Sequence, residues 1–222
     1  MAEVIESVAR ALRADVDALD AVSHNIANLG TPGYRAVKTV PDFGAELARV
    51  SFDLSDGPLT HTGRPLDLAL RGTGFFAVER DGEVLLARAG DFRVDAEGRL
   101  VNAGGDLVLG ESGSILVPQG RLQVLADGAI EVDGKLMDRL QIVDVAEPGR
   151  LRPRGAGTFA YEGALMPWQG AVVQGAIERA NVDAAEQTVR MMEITRHAES
   201  VQRAISTYDR MLDMGINKLG EN

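Results

Sequence analysis

Apolar residues near the start of the chain recur at Ile5, Val8, Leu12, Leu19, Val22 and Ile26, in steps of three, four, seven, three and four. This is the heptad pattern of a helix with a narrow apolar seam, broken by one polar slot at Asp15. The spacing predicts a helix from Val4 to about Asn28, roughly 40 Å long. It stops at the run Asn28-Leu29-Gly30-Thr31-Pro32-Gly33. Gly30 suits the left-handed position that follows a helix, and Pro32 blocks continuation.

From about Gly57 to Gly163 the period shortens. Asp-Gly pairs at Asp56-Gly57, Asp81-Gly82, Asp127-Gly128 and Asp133-Gly134, with Glu97-Gly98 alongside, separate short β-prone runs. Alternation broken by tight-turn dipeptides predicts hairpins and an all-β domain of roughly 100 residues. Phe75 and Phe76 point to opposite faces of one strand, one into the core and the other to an interface or a half-buried surface. Trp168 is expected to pack where the β-domain hands over to the last helix.

Helical spacing returns from about Asn181 to Leu219, with Met191, Ile194, Ala198, Val201, Ile205, Tyr208, Leu212 and Leu219 three or four residues apart for most of its length. Asp183 with Glu186 forms a capping-box-like start. Such a helix spans on the order of 50 Å, far more than a domain with a radius of gyration of about 13 Å, so part of it must protrude. The predicted fold class is α+β, mainly β: a central all-β domain flanked by long terminal helices able to pair as a coiled coil. The expected division is 1–36 for the first helix and its stop, 37–58 for an extended linker, 59–170 for the β-domain and 171–222 for the C-terminal helical part. The alternative packing lays both helices on the β-domain as layers.

Composition narrows the chemistry. A net charge of −10 argues against generic binding to nucleic acid or anionic lipid. With no cysteine, disulfides, thiol catalysis and thiolate metal sites are excluded. His24, His61 and His197 are scattered, with no metal-ligand spacing. Gly72-x-Gly74 precedes a strand and lacks a third glycine, so it is not a dinucleotide loop. The acid pairs Asp15/Asp17 and Asp53/Asp56 read as solvated faces rather than acid–base dyads. No catalytic, cofactor or metal site is expected. The segment from Gly149 to Gly155, GRLRPRG, is a local basic exception, either an ordinary loop or a contact for an acidic partner. No secretory signal and no run of about 18 apolar residues is present.

The stretch Ser23 to Ala36, SHNIANLGTPGYRA, resembles the N-terminal signature of bacterial flagellar rod and hook proteins, A-N-x-x-T-x-G-[YF]-[KR], carried here by Ala27, Asn28, Thr31, Gly33, Tyr34 and Arg35. RPLDLALRGTGFFAVERDG and ARAGDFRVDAEGRLVNAGGDLVLG resemble that family's β-domain blocks. QGAIERANVDAAEQTVRMMEITRHAESVQRAISTYDRML resembles its C-terminal block. Ala180 replaces the usual Ser, Ala87 the usual Thr, and His197-Ala198 an aromatic position. The shortness of the chain, and the stretch of about 28 residues before the β-domain block, favour a rod protein of the proximal type over the distal type or the hook.

The resemblance implies a structural subunit of the flagellar basal-body rod that transmits torque from motor to hook, with no enzyme activity and no cofactor. It implies partners that are copies of itself, neighbouring rod and hook proteins and the export apparatus, with no nucleic acid and no membrane insertion. It also implies synthesis in the cytoplasm and type III export, unfolded and without a cleaved signal, to a rod that spans the periplasm. Ile5, Val8, Leu12, Leu19, Val22, Ile26, Ile194, Val201, Ile205, Tyr208 and Leu212 are the expected assembly interface. The other classes are a dimerising adaptor or chaperone with a β-domain, and a β-domain enzyme with helical arms. On the sequence alone, brief proteolysis of the isolated chain is expected to remove both termini and leave a fragment of about residues 40–170, read by mass spectrometry.

Overall fold

The computed structural model describes the backbone of residues 2–40 and 49–220, and side chains of residues 6–39, 51–208 and 210–211. The chain opens with α1 (Ala2–Ala27), followed by β1 (Val37–Val40), β2 (Arg49–Phe52), β3 (Leu59–His61), β4 (Leu68–Arg71), β5 (Phe75–Arg80), β6 (Glu83–Ala87), β7 (Arg93–Val94), β8 (Leu100–Val101), β9 (Leu107–Gly110) and β10 (Gly113–Ser114). It continues through β11 (Leu122–Val124), β12 (Ala129–Val132), β13 (Lys135–Arg139), β14 (Ile142–Val145), a 3-10 turn (Pro148–Arg150), β15 (Leu151–Gly155), β16 (Thr158–Tyr161), β17 (Leu165–Pro167), β18 (Ala171–Gln174) and β19 (Ala176–Glu178), and closes with α2 (Ala184–Gly220). The fold is α+β and mainly β.

The chain divides into two compact units. A helical unit holds the described parts of residues 1–26, 38–50 and 183–222, and a β unit holds residues 27–37 and 51–182. In the β unit the largest sheet is ordered β15-β16-β6-β5-β9-β8-β7, with β14 on β5, β17 on β14 and β10 on β9. β11, β12 and β13 form a second sheet, while β18 pairs with β4 and β19 with β3. Every strand pair with a resolved register in this unit is antiparallel, as hairpin connections allow. Asp81-Gly82 and Asp133-Gly134 both have positive φ at each residue, the type I′ geometry that joins β5 to β6 and β12 to β13.

Three expectations change. Phe75 and Phe76 are both fully buried, because the two faces of β5 serve different clusters. Phe76 packs with Leu70, Val78, Leu85 and Val108, and meets Phe92 edge-to-face at 5.0 Å. Phe75 packs with Leu86, Val145, Leu151 and Phe159. Residues 171–178 form β18 and β19 rather than part of the C-terminal helix. Each supplies hydrogen bonds to a strand from the start of the β unit, which a helix at this position could not do. Described residues of the expected linker form β1 and β2, a paired ribbon. The resistant fragment is therefore expected to reach from about residue 27 to about residue 182, not 40 to 170.

In the helical unit Asp183 caps α2 through Oδ1, which accepts the N–H groups of Ala185 at 2.8 Å and Glu186 at 3.2 Å. Side-chain hydrogen bonds join the helices. Asn25 Nδ2 donates to Gln187 Oε1 at 3.1 Å with both residues buried, and His197 Nδ1 lies 2.8 Å from Asp15 Oδ2. The contacts are ten residues apart on each helix and in opposite order, so the helices run antiparallel there. Asp15, the polar slot in the heptads, thus meets His197, one of the positions where this sequence departs from the flagellar pattern.

One loop of the β unit has a strong electrostatic tie. Arg80 holds Asp106 with both forks, at 2.6 and 2.7 Å, and Asn102 Nδ2 adds a third bond at 2.7 Å. These bonds, that from Arg80 foremost, hold the Asp106 carboxyl below the usual range. A carboxyl with a lowered native pKa stabilises the fold above its unfolded pKa and loses that contribution as pH falls through the native value. Asp106→Asn is expected to cost about 2 kcal/mol at neutral pH. In urea unfolding at stepped pH, the gap to the unaltered chain should hold above about pH 5 and close on further acidification.

Candidate functional site: a buried arginine–glutamate junction

The chain turns sharply after α1. Thr31 N–H bonds to the Asn28 carbonyl at 3.0 Å and Tyr34 N–H to the Thr31 carbonyl at 3.3 Å, while Thr31 Oγ1 donates to Asn28 Oδ1 at 3.1 Å. Gly33, not Gly30, takes the left-handed backbone, with φ of 65°. Its place is doubly restricted, since a Cβ there would overlap the backbone of Ala89. Gly33 N–H donates to the Glu178 carbonyl at 2.8 Å, so the turn is anchored on β19.

The next signature residue enters the interior. Arg35 is 2% exposed; its Nη1 lies 2.9 Å from Glu178 Oε1 and donates to the Ser55 carbonyl. Glu178 is equally buried, and its other oxygen accepts from Arg88 Nε. Gly57 N–H adds a bond to Glu178 Oε1 at 2.6 Å. Arg88 is fully buried and uses all five N–H groups: one on Glu178, two on the carbonyls of Gly72 and Gly74 at 2.8 and 2.7 Å, and two on the Leu70 carbonyl and Asp56 at 2.9 and 3.3 Å. Two guanidiniums thus face the carboxylates of Glu178 and Asp56. Burial, with Arg88 nearby, pulls Arg35 down to about 10 against the opposing effect of Glu178 and Asp56.

Asn181 closes the junction. Its Oδ1 accepts Ala36 N–H at 2.7 Å, its Nδ2 donates to the carbonyls of Asp53 and Ser55 at 2.9 Å each, and its own N–H reaches the Tyr34 carbonyl at 3.3 Å. The segments entering and leaving the β unit are therefore bonded to each other. The arrangement holds three distant parts of the chain, around Arg35, Arg88 and Glu178, in one buried cluster. It ties these segments to one another through charge and hydrogen bonds.

The other residues singled out from the sequence are placed as follows. Asn28, Thr31, Gly33, Tyr34 and Arg35 come together at this turn, and Ala27 is exposed at the end of α1. Burial raises the Tyr34 hydroxyl above its ordinary value. On α1 Val22 is buried, Val8, Leu12 and Ile26 are half-buried, and Leu19 is exposed. On α2 Ile194, Val201, Ile205 and Tyr208 are half-buried along one stripe. The side chains of Ile5 and Leu212 lie outside the described residues. Sequence reasoning missed Arg88, Glu178, Asp56 and Asn181 as a group. The signal available was a charge directly after apolar β-prone residues, Arg88 in EVLLARAG and Glu178 in QGAIERAN.

Comparison with known proteins follows the same segments. The family described as flagellar hook protein FlgE/F/G D1 domain matches residues 69–136, and that described as flagellar basal body rod FlgEFG protein C-terminal matches residues 173–219. The chain is similar to the flagellar basal-body rod protein FlgF of Escherichia coli strain K12, 32% identical over 218 residues, with 83% of this chain and 85% of that protein covered. FlgF of Caulobacter vibrioides is 29% identical over 235 residues, covering 91% and 92%. FlgG of Agrobacterium fabrum is 26% identical over 239 residues, covering 87% and 90%. Arg88 lies in one matched segment and Glu178 in the other. Glu178→Gln keeps the shape and removes the charge, and is expected to lower the unfolding free energy of the chain by about 3–5 kcal/mol. A loss below about 1 kcal/mol in chemical denaturation would remove the junction as the main tie of the β unit. By the matches above, the chain belongs to the flagellar basal-body rod protein family.

Proposed function

We propose that this chain is a FlgF-type structural subunit that builds the axial rod of the bacterial flagellum together with copies of itself and neighbouring rod and hook proteins. In this reading α1 and α2 pair as a coiled coil in the inner wall of the tube, and the β unit forms the outer layer. The chain reaches the basal body through the flagellar export apparatus and passes torque along the rod. The FlgF relatives named above, at 29% and 32% identity against 26% for the FlgG relative, support the FlgF type.

The observation that carries the reading is the set of apolar side chains that both helices leave exposed. Besides the half-buried stripe, Val16 and Leu19 on α1, and Val189, Met192 and Met211 on α2, remain exposed. A pair of helices in water has no use for them, whereas added copies bury them at about 25 cal/mol per Å². Head-to-tail contacts that do not close on themselves then extend into a tube.

Leu19→Asp and Ile205→Asp are each expected to abolish incorporation into isolated basal bodies, in cells lacking the unaltered chain, while thermal unfolding of the β unit stays unchanged. Motility retained by both variants would refute the helical assembly role.

A further inference from the structure

The basic run at residues 149–155 has no part in the junction or in the helices. β15 ends the largest sheet, so among the described residues one of its edges carries no further strand. Leu151 is buried against Phe75 and Phe159, while Arg150, Arg152 and Arg154 alternate with it and are exposed. Within β15 the period of two sets Arg152 and Arg154 on one face, their Cα atoms about 7 Å apart, and Arg150 lies in the 3-10 turn just before them. With Ala160 and Glu162 they line an open groove of about 380 Å³. Pro153, in mid-strand, has no N–H to offer and interrupts the strand edge, which opposes addition of another strand. Recognition at this edge falls to the side chains.

Their partners within the chain are weak. Arg150 meets Glu147 at 2.9 Å and Arg154 meets Glu83 at 3.3 Å, all four more than half exposed, a setting in which an ion pair contributes little. Arg152 donates to the carbonyls of Gly149 and Leu151, and no carboxylate pairs with it among the described residues. The chain as a whole carries 33 acidic against 23 basic residues. Two copies therefore repel unless a basic face of one meets an acidic face of the other. A head-to-tail contact, which joins unlike patches, meets that condition.

We infer that the face formed by Arg150, Arg152 and Arg154 docks an acidic region of a second copy of this chain, its carboxylates held by the guanidinium forks. The inference rests on the rod-subunit reading for the identity of its partner.

Sedimentation velocity of the full chain, over a concentration series at low and high salt, tests it. Self-association should weaken by about tenfold as salt rises from ~20 to ~500 mM. The variant Arg150→Gln/Arg152→Gln/Arg154→Gln should associate at least about fivefold more weakly at low salt, with unchanged thermal unfolding. A variant that associates like the unaltered chain, or an unaltered chain that is monomeric at both salt levels, overturns the inference. So does arginine-dependent binding of polyphosphate in place of self-association, which assigns the groove to a phosphate polymer. Failure here leaves the rod reading standing, because that reading is tested on α1 and α2 by Leu19→Asp and Ile205→Asp.

Discussion

The carboxylate of Glu178 is the point on which the β unit depends. Two arginines without contact to water are tolerable only where opposite charge and hydrogen-bond acceptors meet them. Glu178 provides both, with one oxygen toward Arg35 and the other toward Arg88. Arg88 completes its set on the carbonyls of Leu70, Gly72 and Gly74, so it also fixes the path of the chain between β4 and β5. Little of the stabilisation comes from the ion pairs as such. Desolvation offsets much of their attraction, whereas removal of one partner leaves a buried charge unmatched.

That constraint explains the order of the strands. β19 must lie beside β3 to bring Glu178 under Arg35, and β18 beside β4 continues the same path. Strands from the two ends of the β unit are thus neighbours, although more than a hundred residues separate them. The two Phe-centred clusters then fill both faces of the large sheet. Gly33 belongs to the same logic: its left-handed turn delivers Arg35 inward and leaves its N–H on the Glu178 carbonyl.

Much of this was legible in the sequence. The heptads named both helices, and Asp81-Gly82 and Asp133-Gly134 named two hairpins, because local backbone preference decides those features. The residues of the turn after α1 were legible only as a resemblance, and their purpose was not. The burial of Arg35, Arg88 and Glu178 was not legible, since burial of a charge depends on partners far away in sequence. The pair Phe75 and Phe76 was misjudged because alternation marks two faces without saying that both are covered. β18 and β19 were assigned to the helical part because their pairing partners lie at the other end of the domain. Leu19 fits the heptad yet lies exposed, since Asp15 and Ala18 carry the less exposed stripe across that turn.

The hydrogen bonds of Asn181 to the Tyr34 carbonyl and the Ala36 N–H join the two ends of the β unit to each other. The stretch between them is thereby a closed excursion of the chain that leaves and returns at nearly one place. Residues can be added to it, trimmed from it or exchanged within it without parting those ends.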